Sequence, residues 1–263
     1  MRAYGPAVVK TLAAGGVPAG PIPVETLRRR ADAAVMVFRL GDRSVVVKAF
    51  DPARAATAAP FERELACLLR LERSGLAPRL RGFDRKNRFV LMDEVEGCPL
   101  DHALAPATLP AIARRLGTWY ARFARAQAAA EHHADWQTYL ARYPGLLDPE
   151  APEDHAFLAD LPVASLKIAR NDAHLGNFLA RPGGSLVGLD YEAASLKPQG
   201  WDLLLAARDL ARRAPPRAAE IVDALLEGWG GGTDSLFPED LHRLALFFVA
   251  RTALRSHAAV PAG

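Results

Sequence analysis

The hydrophobic pattern of this chain changes once, between Asp93 and Leu100, and that change constrains the fold more than any other feature. Before it, apolar residues come in short β-branched and aromatic runs broken by turn formers. After it, they come mainly in long Ala- and Leu-rich stretches with helical spacing. Strands gathered first and helices gathered later make an α+β chain, with a small antiparallel sheet and one helix followed by a larger, mainly helical part.

Ala33–Leu40 (AAVMVFRL) and Arg43–Phe50 (RSVVVKAF) flank Gly41-Asp42, a two-residue link that makes a hairpin. Phe61, Glu64, Leu68 and Leu71 fall on one face of a helix over Phe61–Ser74, so Glu64 points inward while Glu62 points away. Gly75 ends that helix and Pro78 blocks its restart. Arg79–Phe83 and Arg88–Asp93 form a second hairpin around Asp84–Asn87. Residues 1–24 read as a lead-in helix or coil. Beyond Leu100, a long helix is expected over Ala111–Ala130, with shorter helices through Leu161 and a strand at Ser165–Ala169. Phe178–Ala180 and Ser185–Asp190 flank Arg181-Pro182-Gly183-Gly184, a strong hairpin signal. Helices over Trp201–Arg213, Arg217–Trp229 and Pro238–His257 finish the chain, with Gly228–Thr233 read as a linker. The domains expected are 1–95, the sheet with its helix, and 96–263, the mainly helical part.

With 263 residues, half of them hydrophobic, the chain has material for a real core. Lys plus Arg is 33 against 30 Asp plus Glu, and no basic block with interleaved aromatics stands out, so no nucleic-acid partner is expected. Cys67 and Cys98 are lone cysteines without metal spacing, which suits a reducing cytoplasm. Lys10 interrupts any signal-peptide core, and the apolar stretch Leu244–Ala250 is far short of a membrane span. A cytoplasmic protein is expected. Only five of the basic residues are lysines, at 10, 48, 86, 167 and 197, so each Lys in this Arg-dominated set invites a reason.

The chemistry concentrates in ARNDAHLGNFLA, Ala169–Ala180, and VGLDYE, Val187–Glu192. A hairpin brings its open ends to about one strand spacing, roughly 5 Å. Its open ends here are Asn177 and Asp190, an amide oxygen and a carboxylate, which suit a hard cation such as Mg²⁺. Asp172, at the start of the same loop, can reach a hydroxyl. Metal to neutralise phosphate charge, and a carboxylate to orient the attacking oxygen and take its proton, are what phosphoryl transfer requires.

Asp172…Asn177…Asp190 resembles the catalytic loop and metal-binding Asp of protein-kinase-like enzymes, and NDAHLGNFL is closest to the HGDxHxxN loop of the aminoglycoside phosphotransferase and related small-molecule kinases. Lys48 in VVVKAF matches that group's β3 Lys, Glu64 its helix Glu, Phe89–Leu100 its hinge, and Asp202 in GWDLLLAA a later Asp that braces the loop. The matches keep family order over about residues 30–205. The resemblance implies a two-lobed protein-kinase-like fold. It implies ATP gripped by Lys48 and Glu64, with adenine against Met92, the Asp93 carbonyl and the Val95 amide. It further implies Mg²⁺ on Asn177 and Asp190, and Asp172 as the catalytic base toward a small-molecule hydroxyl acceptor such as an aminoglycoside, a sugar or an amino alcohol.

The chain departs from the family in two places. HGD reads Arg170-Asn171-Asp172, which removes a His and puts Arg170 where it could add charge near the transferred phosphate. No GxGxxG loop precedes Lys48; the corresponding stretch is Arg28–Val35, RRRADAAV. Two other readings stay open: a pseudokinase serving as a nucleotide-binding interaction module, and an atypical protein kinase. The second is disfavoured because Trp201 follows Asp190 too closely for a peptide-docking segment.

Overall fold

The structure, a computed structural model, describes residues 24–40, 43–127, 132–143, 152–231, 233 and 236–258. The lead-in up to residue 23, the Gly41-Asp42 turn and much of the stretch before Leu161 lie outside the described residues. The chain is α+β and divides into two compact units: residues 1–98 with 178–194, and residues 99–177 with 195–263.

The first unit is built on a five-stranded antiparallel sheet in the order β1-β2-β3-β5-β4. Its strands are β1 (Val24–Arg29), β2 (Ala33–Leu40), β3 (Arg43–Phe50), β4 (Leu80–Asp84) and β5 (Phe89–Asp93). The sequence did not announce β1, where RR at 28–29 and the lack of a long β-branched run hide a strand. Alternation divides the sheet into two faces. Met36, Phe38, Val45, Val47, Ala49, Phe89 and Leu91 form a buried cluster on one. Lys48 stands on the other, beside Val35 and Val90 in the register. That second face is covered by α1 (Ala58–Leu71), whose Phe61 meets Phe50 edge-on at 6.0 Å.

Helix α1 starts three residues before the expected Phe61 and stops three before Ser74. Ser74 closes it, its amide and hydroxyl both donating to the Leu71 carbonyl, and Gly75 turns the chain away at φ 72°. Glu62 is exposed and pairs with Arg85 at 3.1 Å, while Glu64 is 1% exposed, as the helical phase required. The β4–β5 turn is held by Asp84, which accepts from the Asn87 amide and side chain at 2.9 and 2.7 Å.

After β6 (Cys98–Pro99), a two-residue strand at the junction of the units, the chain enters the second unit. Its long helices are α2 (Leu109–Arg125), α5 (Trp201–Ala211), α6 (Ala218–Trp229) and α7 (Pro238–Ala258). The short helices α3 (Trp136–Leu140) and α4 (Pro152–Ala159) lie between α2 and α5 in sequence. Helix α5 is buried along nearly its whole length, as a helix apolar on all sides must be. Helix α2 ends at Arg125 rather than Ala130: the Ala126 amide bonds back to Arg122 and the Gln127 amide to Ala124, closing the last turn. A three-stranded sheet, β11-β8-β7, was not foreseen beyond its middle strand; it joins β7 (His133–Ala134), β8 (Ala164–Ala169) and β11 (Ser195–Pro198). Between β8 and β11 the chain passes back through the first unit as β9 (Phe178–Ala180) and β10 (Leu186–Gly188). Gly183 and Gly184 supply the positive φ of their turn, at 86° and 88°. The Gly188 amide donates to the Leu76 carbonyl at 2.8 Å, tying this hairpin to the end of α1.

Candidate active site

In the first unit Lys48 is the centre of a charge cluster. It is 6% exposed, and its ammonium lies 3.0 Å from Glu64 Oε2, 2.5 Å from Asp190 Oδ1 and 3.0 Å from Glu192 Oε2. Burial works against this ammonium, but the attraction of Glu64, then Asp190 and Glu192, outweighs it and raises its pKa above the ordinary 10.5. Burial pushes the Glu64 carboxyl up as well, opposed by Lys48 and by a hydrogen bond from the Tyr191 amide at 2.6 Å. Glu192 is shared: its Oε1 faces Arg30 at 3.4 Å, and its carbonyl accepts Arg63 Nε at 2.6 Å. Three carboxylates, of Glu64, Asp190 and Glu192, thus meet three side-chain cations, Lys48, Arg30 and Arg63, in one cluster. Asp190 holds φ at 62°, a strained value that an Asp tolerates better than most residues.

In the second unit Asp172 is fixed by its own loop. Its Oδ1 accepts the His174 amide at 3.1 Å and its Oδ2 accepts Asn177 Nδ2 at 2.9 Å. With its nitrogen committed to Asp172, the Asn177 side chain has its amide oxygen to offer a cation. His174 is exposed and braces the loop, its Nδ1 accepting the Gly176 amide at 3.1 Å. Gly176 is confined by Asp101 and the His174 ring, 2.9 and 3.0 Å from where a Cβ would sit.

The start of the loop hangs on Asp202. That buried carboxylate accepts the Arg170 amide at 2.8 Å through Oδ2 and the Asn171 amide at 3.0 Å through Oδ1. Burial raises the Asp202 pKa, and these amides with the Arg170 charge pull against it. Asn171 takes φ 59° and its Oδ1 accepts Trp201 Nε1 at 3.0 Å. The expected charge of Arg170 beside the phosphate is corrected here. Arg170 is fully buried, its guanidinium 5.4 Å from the Trp119 ring centroid.

Among the hinge residues, Met92 is 7% exposed at the end of β5, on the Lys48 face beside Val46. Asp93 is held by Arg81 at 2.5 and 2.9 Å, and Val95 follows in the irregular link after β5. Cys67 packs in the core of α1 and Cys98 is exposed. Three of the acidic residues near the end of the chain have basic partners: Glu220 pairs with Arg217, Glu227 with Arg114, and Asp223 with His242. Sequence reasoning gave no role to Arg30, Arg63 or Glu192. The Asp190-Tyr191-Glu192 spacing, two acids flanking a buried aromatic residue, was the available signal for the last of them.

Among the described residues no helix is long and apolar enough to cross a membrane. No curated protein matches the chain significantly by sequence. Solved structures resemble it closely in fold. The macrolide 2′-phosphotransferase MphH from Brachybacterium faecium aligns over 96% of this chain and 90% of its own, with 18% identity and a TM-score of 0.61. The choline kinase LicA from Streptococcus pneumoniae aligns over 98% and 92%, with 17% identity and a TM-score of 0.57. A type VIII aminoglycoside-3′-phosphotransferase aligns over 91% and 98%, with 20% identity and a TM-score of 0.56. The fold is therefore protein-kinase-like. At these identities structural likeness settles only the fold. Membership comes from the sequence itself: residues 24–247 match the family model of the phosphotransferase enzymes (APH), and the chain belongs to that family.

Proposed function

We propose that the protein transfers the γ-phosphate of ATP to a hydroxyl of a small molecule, with Mg²⁺. The observation that carries this reading is the Lys48–Glu64 pair, 3.0 Å apart and joined by Asp190 at 2.5 Å. A buried ammonium held by a helix carboxylate and a strained Asp is a pre-set anion grip beside a cation-binding oxygen. Lys48 takes the ATP phosphates and Glu64 positions Lys48. Met92, Asp93 and Val95 receive the adenine. Asn177 and Asp190 are the residues proposed to hold magnesium, whose charge neutralises the phosphates when it is bound.

Asp172 acts on the acceptor. Its carboxylate orients the hydroxyl and takes its proton as the oxygen attacks the γ-phosphorus. The bond from that phosphorus to the β,γ-bridging oxygen breaks, and ADP leaves. The contacts of Asp172 to the His174 amide and to Asn177 Nδ2 keep it oriented for this work. The non-catalytic alternative drew on the altered Arg170-Asn171. Both residues still hang on Asp202 through their amides, which supports a working loop. The acceptor class is an aminoglycoside-like, sugar-like or amino-alcohol-like hydroxyl compound.

The test is ADP release by the purified protein over aminoglycosides, macrolides, sugars, choline-like alcohols and hydroxy amino acids, with Asp190→Ala as the blank. Acceptor-dependent release is expected, and Asp172→Ala should lower it by about 10²–10⁴. A protein that binds MgATP yet releases no ADP with any acceptor would be the non-catalytic module instead.

A further inference from the structure

The stretch that corresponds to a glycine-rich phosphate loop is, in this chain, the tight connection between β1 and β2. The Arg30 amide donates to the Ala33 carbonyl at 2.8 Å, and the Asp51 amide at the end of β3 donates to the Asp32 carbonyl at 2.8 Å. The turn is thus braced at both ends without any glycine. It carries Arg30, whose guanidinium lies 3.4 Å from one oxygen of Glu192, while Lys48 lies 3.0 Å from the other. Two cations, one on the β1–β2 connection and one on β3, therefore close on the two oxygens of a single carboxylate. A phosphate group offers the same forked pair of oxygens with more charge.

The exposure of the three groups gives the clamp a direction. Side-chain exposure rises from 7% at Lys48 through 25% at Glu192 to 48% at Arg30, so an anion reaches it from the Arg30 side. Glu192 is anchored by its backbone, since Arg63 holds its carbonyl at 2.6 Å, and its carboxylate can swing out to water without moving the chain. We propose that Arg30 is a second phosphate-binding cation: Arg30 and Lys48 together take phosphate oxygens of ATP, and Glu192 holds their place in the nucleotide-free protein. This inference rests on the ATP-dependent reading above and extends it. The arginine does by charge what a glycine-rich loop does with backbone amides.

Equilibrium titration of ATP and of adenosine, both with Mg²⁺, tests it on the wild type, Arg30→Ala, Arg30→Lys and Arg39→Ala. Arg39 is an exposed arginine near the far end of β2 and controls for net charge. Arg30→Ala should weaken ATP roughly ten- to hundredfold, the loss of one charge-assisted contact, and leave adenosine unchanged. Arg30→Lys should fall between, and Arg39→Ala should match the wild type. If the wild type prefers ATP over adenosine and Arg30→Ala keeps that preference in full, the role of Arg30 is overturned while the kinase reading stands. A wild type with no preference for ATP over adenosine overturns the kinase reading and this inference together.

Discussion

The Oε2 atom of Glu64 accepts the backbone amide of Tyr191 at 2.6 Å while it also holds the Lys48 ammonium at 3.0 Å. One buried oxygen therefore ties α1 to β3 and to the Asp190–Glu192 segment. Tyr191 is itself fully buried, its hydroxyl within hydrogen-bond reach of the Leu76 and Gly188 carbonyls at 3.3 and 3.2 Å, so the segment has no slack to compensate for a lost anchor. Glu64→Ala should destabilise the protein by about 1–3 kcal/mol, because it leaves the buried Tyr191 amide without its acceptor, while Lys48 keeps Asp190 and Glu192. Glu64→Gln keeps an oxygen for the Tyr191 amide and should cost less. Denaturant unfolding of the two variants checks the order; equal losses would mean that the amide bond contributes nothing.

Asp202 offers a second test of how a buried carboxylate shapes a loop. Its two oxygens each serve one backbone amide, of Arg170 and of Asn171, immediately before Asp172. Asp202→Ala leaves both amides without their acceptor, at about 1–3 kcal/mol for each one that stays dry. Asp202→Asn keeps one acceptor and should lose roughly half as much. Because the loop start is displaced and the first unit is untouched, turnover should fall with ATP affinity unchanged. A matching loss of ATP affinity would show that Asp202 supports the nucleotide site and not the loop alone.

Gly228 sits inside α6, where the sequence reading had placed the beginning of a linker. The physical reason is contact with α2. A Cβ on Gly228 would run into the Arg114 carbonyl, and one on Gly117 into the Leu225 carbonyl and, at 2.8 Å, the Trp229 amide. The two helices touch backbone to backbone there, and the bend expected at Gly228 comes later, at Gly230 with φ 87°. Alanine favours an unobstructed helix over glycine by about 1 kcal/mol. Here the obstacle is main chain, which cannot step aside, so overpacking of about 1–3 kcal/mol or more should win. Gly228→Ala should therefore lower the unfolding midpoint, whereas Gly183→Ala, which meets no atom within 4 Å, should act only through its positive φ.

The parts legible in the sequence were those set by local rules. Strands β2 and β3 begin and end where their β-branched runs do, and the phase of α1 separated buried Glu64 from exposed Glu62. Asp172 and Asn177 fall in one loop, as their spacing suggested; the hydrogen bond between them was not foreseen. What escaped was set by partners distant in sequence. Strands β7 and β11 are two and four residues long and exist through pairing with β8. Arg170 read as a charge near the transferred phosphate because nothing nearby in sequence announces Trp119, fifty-one positions earlier, as its cation–π partner. Glu192 and Arg30 are separated by 162 residues, and only the fold makes them neighbours.

The Lys48 cluster also sets an alkaline limit on stability. The folded state raises the Lys48 pKa above 10.5, chiefly through Glu64 and Asp190 acting against burial. Burial likewise raises Tyr120 and Tyr139 above the ordinary 10.0. Above these ordinary values the native state keeps protons that the unfolded chain releases, so stability is fully present below about pH 10 and falls as pH rises further. Lys48→Met removes the lysine share and leaves the tyrosine share. It should be less stable than the wild type at about pH 8, where Glu64 and Asp190 lose their cation, yet lose less stability between about pH 9.5 and pH 11. Denaturant midpoints across that range measure both parts. Parallel declines in the two proteins would show that the fold does not hold the Lys48 proton more tightly than the unfolded chain does.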